Sequence, residues 1–456
     1  MSVAIALFTR DLRLSDNPTF AAATHADHVV PLFVLDERIL SGSFNRPNRA
    51  HFLAESLADL DGSLQSRGAA LVVRRGRVED EVAAVARETG ADTVHVSGDV
   101  SGYAQARRRR MTDRLAGDGV RLVVHDGTLF VVPPGVVTPQ DRDHMAVFTP
   151  YFRRWSQQSL RDRATLPESL VLPPSVGVGR VPLGREICAG ATSPDRLRGG
   201  ETEGRRRLEA WVREGLAAYD ERHDALGEEG TSRLSAYLHF GCISPLELVR
   251  LAGAQPGVGA QEFVRQVAWR DFYAQLLAAR PDAVRADFRP RGDRWHHDPQ
   301  EVAAWKEGRT GYPVVDAAMR QLMQEGWMHN RARLIVGHFL CKTLYVDWRV
   351  GAAHFADLLI DGDTASNTMN WQWVAGTGTD SRFNRTYNIV LQARRHDPDG
   401  RYVRRYVPEL AEVDAAYIHE PWLLPQDQRE RLGYPEPVVE QAQARDRLRR
   451  GRAGTG

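Results

Sequence analysis

A chain of 456 residues with 42% hydrophobic content can bury cores for two or three domains. Its charges nearly cancel, at a formal +1, which excludes a molecule that grips polyanions through bulk positive charge. Three scattered cysteines exclude a disulfide framework and fit a reducing compartment. The N-terminus reaches charge too early for a signal peptide, and no apolar run is long enough to span a membrane. The expectation is a cytoplasmic protein without a membrane segment, acting as a monomer.

Residues 1–130 alternate strand and helix signals. Apolar runs at Val3–Phe8, Val29–Leu35, Ala70–Val73, Thr93–Val96 and Val120–Val124 are separated by amphipathic stretches near 49–66, 79–89 and 103–117. That order predicts an α/β domain, a Rossmann-like parallel sheet covered by helices. Its first turn, Thr9–Asp16, contains no glycine, so the Gly-rich dinucleotide fingerprint is absent there. Residues 131–200 are rich in Pro and Gly and read as a long connector, with one ordered piece expected at Val147–Trp155. Residues 201–425 read as helical, and 426–456 as a charged tail expected to fray. Ser244-Pro-Leu-Glu247 has the pattern of a capping box, and Pro313 opens a helix with Val314, Val315, Ala318 and Leu322 on one face.

Four clusters in the helical part could carry chemistry. Thr231-Ser-Arg-Leu-Ser235 offers hydroxyls beside backbone N–H groups, as an anion site or as plain caps. Gln266, Trp269, Arg270 and Tyr273 share a helical stripe that mixes amide, indole, guanidinium and phenol, which suits a cavity wall stacking a flat ligand. Gly326–Arg333 adds Trp327, Asn330, Arg331 and Arg333; a basic helix end is the plainer reading. In Asp361-Gly-Asp363 through Trp373, the four-residue spacing of Asp363, Asn367 and Trp371 puts them on one helical face that could hold a polar, electron-accepting ring. A helix N-terminus rich in acids, with core tryptophans, fits the same residues. No zinc motif and no nucleophile elbow is present. Seven of the ten tryptophans lie between 269 and 373, which suits redox chemistry run by a bound cofactor.

Taken together, these segments resemble the photolyase/cryptochrome family along nearly the whole chain. The resemblance runs through Phe8–Arg13, Thr231–Ser235, Trp269–Tyr273, Trp305–Arg320, Gly326–Arg331, Asp361–Asp363 and Trp371–Trp373. It implies an α/β antenna-binding domain, a linker and an all-α catalytic domain that binds FAD. By that resemblance Tyr219, Thr231, Ser232, Arg233, Leu234 and Ser235 hold the cofactor's phosphate and ribityl side, and Arg270 also binds the cofactor. Arg333, Asp361, Gly362, Asp363 and Asn367 line its ring, and Trp371, Trp348 and Trp295 form an electron-transfer triad.

The implied activity is light-driven repair of cyclobutane pyrimidine dimers in UV-damaged DNA, of the class I type. Gln266, Trp269, Tyr273, Asn330, Arg331, Leu334, Trp373 and Gln392 would meet the flipped-out dimer. His329-Asn330 with Leu334 departs from the histidine pattern of (6-4) photolyases, whereas Gln266 is common in them. A (6-4) photolyase and a cryptochrome-type light sensor are the alternatives. Asn388-Ile389 stands where the family usually has Asn-Pro. Phe33, Arg49 and Asp99 sit where members bind an antenna chromophore. An 8-hydroxy-5-deazaflavin is favoured over methenyltetrahydrofolate, although His239 replaces a lysine often found near that pocket.

Overall fold

The structure, a computed structural model, describes residues 1–379 and 385–452. It divides the chain into two compact units. The first comprises Met1–Thr192, Leu197–Ala217 and Ser232–Pro281; the second comprises Ser193–Arg196, Ala218–Thr231 and Asp282–Gly456.

The first unit is built on five parallel strands: β1 (Val3–Phe8), β2 (His28–Asp36), β3 (Val72–Gly76), β4 (Thr93–Ser97) and β5 (Arg121–His125), in the spatial order β3-β2-β1-β4-β5. The central strands are buried on both faces, which is why they read as unbroken apolar runs. Helices α1 (Pro47–Gln65), α2 (Val78–Thr89) and α3 (Gly102–Ala116) supply the crossovers after β2, β3 and β4, and a short helix at Pro18–Ala23 supplies the first. The chain order reverses beside β1, so a crevice opens beyond the carboxyl ends of β1 and β4, the usual ligand position of doubly wound sheets. In place of a glycine loop, the turn after β1 is held by Arg13. This fully buried side chain donates to the carbonyls of Ser15, Asp16, Thr128 and Gly241.

The expected connector is not loose. Phe148–Trp155 is helical, and its Phe148 ring stacks on Trp269 of α4 (Val258–Ala279) at 3.7 Å between centroids and 8° between planes. Asp271, fully buried on α4, accepts from the backbone N–H groups of Val131 and Val132 and from Trp155 Nε1 at 3.0–3.1 Å. Burial pushes its pKa up to about 6. The capping box forms only by half. Ser244 Oγ accepts from Glu247 N, but the Glu247 carboxylate is drawn to Arg205 at 2.8 Å instead of turning back.

The second unit packs helices around Trp305, Met319, Phe339, Trp348 and Trp371. Its principal helices are α5 (Pro313–Glu325), α6 (Asn330–His338), α7 (Trp348–Leu358), α8 (Thr364–Ala375) and α9 (Gln441–Arg452), with a π-helical turn at Phe339–Leu344. Pro313 does open α5, with Val314, Val315, Ala318 and Leu322 buried. Within the segment expected to fray, Gln426–Leu432 and α9 are helical, and α9 is anchored. Arg447 grips Glu301 with both terminal guanidinium nitrogens at 2.7 and 2.8 Å, and Gly451 packs closely against the Tyr345 ring. Ala453–Gly456 of that tail fall outside the described residues. Among the described residues no helix is long and apolar enough to cross a membrane.

Candidate functional site

A pocket in the second unit is walled by α6, α7 and α8, and Asp361, Asn367, Trp371, Arg333, Leu334 and Asn330 all line it. Local sequence explains the arrangement. Asp363 is the N-cap of α8 and accepts from Ser366 N at 2.9 Å, which starts the helix just after the Asp361-Gly-Asp turn. Asn367 and Trp371 then follow at one-turn intervals on the face that meets the pocket.

Polar chemistry concentrates on two side chains. The Asp361 side chain is buried, and its Oδ2 accepts from Arg333 Nη2 at 2.7 Å. Arg333 is itself steadied by a bond from Nε to the Met328 carbonyl. Asp361 Oδ1 is buried with no hydrogen-bond partner among the described residues. A carboxylate oxygen in that position needs an outside donor. Asn367 Nδ2 donates to the Ala352 carbonyl at 3.0 Å, which leaves Oδ1 as the acceptor of this amide. A ring whose edge carries N–H groups fits both oxygens, so the residues present suit a flavin.

Trp371 closes the wall. Phe355 and Trp305 meet it edge-on at 5.0 and 6.1 Å, and Gly351 on α7 lies against its benzo ring. Trp348, one turn before Gly351, is buried and donates Nε1–H to Asp287 at 2.9 Å. Trp295 is half-buried and packs on Tyr345 at 5.0 Å.

The remaining candidates are distributed as follows. In the second unit, Tyr219 is buried and packs on His223, and Trp373 is half-buried edge-on to His338. Arg331 is engaged by Asp224 through two bonds at 2.5 and 3.0 Å, a fixed ion pair. Gly362 is buried, Gln392 is half-buried and Asn330 is exposed at the pocket rim.

The Thr231–Ser235 segment is split, with Thr231 in the second unit and Ser232 onward in the first. Arg233 has φ +53, Ser232 Oγ accepts from Leu234 N, and the following helix, Ser235–His239, starts without a side-chain cap. The plain-capping reading of these hydroxyls therefore does not hold for that helix. On α4, Gln266 is exposed, Trp269 stacks on Phe148, Tyr273 is buried, and Arg270 donates to the carbonyls of Leu129 and Leu238.

In the sheet crevice Asp99 faces Arg10 at 3.6 Å, and buried Arg49 turns to the Phe44 carbonyl and ring. Phe33 is buried within β2, paired with Phe8 at the end of β1. Among the described residues, one buried oxygen of Asp11, one of Asp36 and the hydroxyl of Tyr103 have no hydrogen-bond partner. Burial raises the pKa of both carboxyls. Ser366 and Asn370, which also line the helical pocket, were missed from sequence. Adding three-residue steps to the four-residue spacing of α8 would have found them.

A doubly wound α/β unit and a helical unit holding a polar ring pocket flanked by indoles define a protein that runs redox chemistry on a bound nucleotide cofactor. Residues 4–171 match the family described as DNA photolyase, and 263–452 match the FAD binding domain of DNA photolyase. The chain is 53% identical to a deoxyribodipyrimidine photo-lyase from Streptomyces griseus, over 99% of both chains. A bacterial class III photolyase structure from Agrobacterium tumefaciens superposes with a TM-score of 0.92 at 33% identity, covering 100% of this chain and 97% of that one. An archaeal photolyase from Sulfolobus tokodaii, solved with two FAD molecules, gives 0.87 at 29% identity over 100% of both chains. The chain belongs to the DNA photolyase family.

Proposed function

We propose that this protein is a deoxyribodipyrimidine photo-lyase, an FAD-dependent enzyme that uses light to split cyclobutane pyrimidine dimers in damaged DNA. The observation that carries the reading is the convergence of Asp361, Asn367 and Trp371 on one pocket, with a buried carboxylate oxygen left for a ligand. Bound FAD supplies light-driven one-electron chemistry.

The protein's part is orientation and supply. Arg333 fixes Asp361 so that Oδ1 can accept from the ring edge. Asn367, held through Nδ2 by Ala352, would present a neutral acceptor to the ring edge and so would tolerate negative charge on a reduced ring. Trp371, Trp348 and Trp295 pass electrons inward one at a time. Tyr219, Thr231, Ser232 through Ser235, Arg270, Gly362 and Asp363 are assigned to the cofactor by family resemblance.

By family resemblance alone, Asn330, Leu334, Trp373 and Gln392 of the second unit, and Gln266, Trp269 and Tyr273 of the first, are assigned to the dimer. Arg331 acts there through its fixed pair with Asp224 rather than as a mobile phosphate clamp. Extrusion of the lesion costs less than that of an intact base because its pairing is already damaged. In the sheet crevice, the unpartnered oxygens of Asp11 and Asp36 support an antenna chromophore bound near Phe33, Arg49 and Asp99, proposed as a deazaflavin. The protein is proposed to act as a cytoplasmic monomer.

The test is direct. Reduced protein is illuminated with oligonucleotides that carry one defined lesion each. Restored thymines from the cyclobutane dimer alone are expected. Repair of the (6-4) lesion alone, or of neither, would overturn the assignment.

A further inference from the structure

Tyr345 has no part in the pocket, yet its surroundings are unusual for a tyrosine. Its side chain is almost wholly buried, and it takes a left-handed conformation, φ +61, at the end of the π-helical turn. Its ring packs on Trp295 at 5.0 Å and 40°. Its hydroxyl donates to Asp293 Oδ1 at 2.6 Å, a short bond to a carboxylate that is itself only 3% exposed. The backbone N–H of Arg294 binds the Gly451 carbonyl at 3.1 Å, which lays the end of α9 over the phenol ring. The Arg452 guanidinium stands 3.9 Å from Asp293. Burial and the Asp293 charge both raise the phenol pKa, so the proton stays on oxygen in the resting protein.

A phenol is a practical electron donor when its proton has somewhere to go as the electron leaves. This one has a carboxylate in line and an indole against its ring face. We propose that Tyr345 is the terminal electron donor of the tryptophan relay, handing its electron to oxidised Trp295 while its proton moves to Asp293.

The step balances. The Trp295 radical cation gains one electron and returns to neutral indole. Tyr345 loses that electron, and its O–H bond breaks. The proton forms the acid of Asp293, leaving a neutral tyrosyl radical. The positive hole at Trp295 is thereby erased rather than moved. Return requires both electron and proton, and α9 screens the radical from external reductants, so the reduced ring persists longer. The proposal rests on the reading of Trp371, Trp348 and Trp295 as a relay.

Two measurements test it on the FAD-loaded protein. After a laser flash, the tryptophan radical absorption of the wild type should decay into the narrow band of a neutral tyrosyl radical. In Tyr345→Phe that band should be absent and the tryptophan signal should remain. Asp293→Asn should slow its appearance at least tenfold. A tyrosyl band that survives in Tyr345→Phe, or a wild-type tryptophan radical that recovers with no tyrosyl band, overturns the proposal. The second measurement bypasses the flavin. Azide radicals oxidise indoles directly, and transfer to tyrosine should then occur in the wild type but fall in both Tyr345→Phe and Trp295→Phe. Equal transfer in all three also overturns it. A flash that yields no tryptophan radical, with azide-driven transfer intact, refutes the relay and leaves the Trp295–Tyr345 step standing.

Discussion

Replacing Gly351 by alanine sets two physical effects against each other. Gly351 lies inside α7, where alanine is favoured over glycine by about 1 kcal/mol. The added Cβ would fall 2.2, 2.4 and 2.6 Å from three ring carbons of Trp371, where contact begins near 3.4 Å. The indole must therefore retreat by about 1 Å, into an interior packed like a crystal. Phe355 and Trp305 stand edge-on to it, and Gly337 lies beside its benzo ring. Overpacking of this kind costs about 1–3 kcal/mol, which outweighs the helical gain.

Urea unfolding of Gly351→Ala should show a lower midpoint at unchanged slope, and flavin affinity should fall because Trp371 is a wall of the pocket. The control is Gly62→Ala in α1, whose Cβ would meet nothing within 4 Å and which should gain about 0.5–1 kcal/mol. Equal or greater stability of Gly351→Ala relative to wild type would refute the packing argument.

Three further outcomes are expected. Asp361→Asn should weaken FAD retention at least tenfold through loss of the Arg333 pair, measured by flavin fluorescence on dilution; unchanged retention would remove Asp361 from the site. Asn367→Asp should set a carboxylate against the Ala352 carbonyl and lower the yield of fully reduced flavin under limiting reductant, read by absorption; a wild-type yield would exclude the proposed role. The pKa of His338 is depressed from 6.5 to about 3 by burial against Tyr387, so the folded state binds fewer protons than the unfolded chain in that window. Its share of stability is complete above pH 6.5 and is lost as pH falls toward about 3. His338→Phe keeps the stacking and should reduce the slope of stability against pH there by about 1.4 kcal/mol per pH unit. An unchanged slope in urea titrations would show that the histidine is already protonated.

Parallel strands announce themselves. β1 begins and ends where its apolar run does, and β2 extends its own run by one residue at each end, because strands buried on both faces cannot interrupt their hydrophobicity. The α8 face was equally plain, since Asp363, Asn367 and Trp371 owe their alignment to helical spacing alone. Contacts made across long sequence separations left no such mark. Glu247 looks like half of a capping box until Arg205 takes its carboxylate. Lys342, one of two lysines, is buried, bonds to the Ala375 carbonyl, and has its pKa pushed down to about 8, none of which local pattern reveals. Tyr345 carries no local mark either, because its partner Asp293 lies 52 positions away.

Asp271 also bears on how this chain could be dissected. Its three donors, Val131 N, Val132 N and Trp155 Nε1, lie more than a hundred residues upstream of it in the same compact unit. A gene cut near codon 200, where composition suggests a border, would strip the sheet fragment of α4 and leave those N–H groups without their acceptor. Recombination between relatives at that point should yield insoluble halves, whereas exchanges that carry Met1–Pro281 as a block keep this carboxylate with its donors.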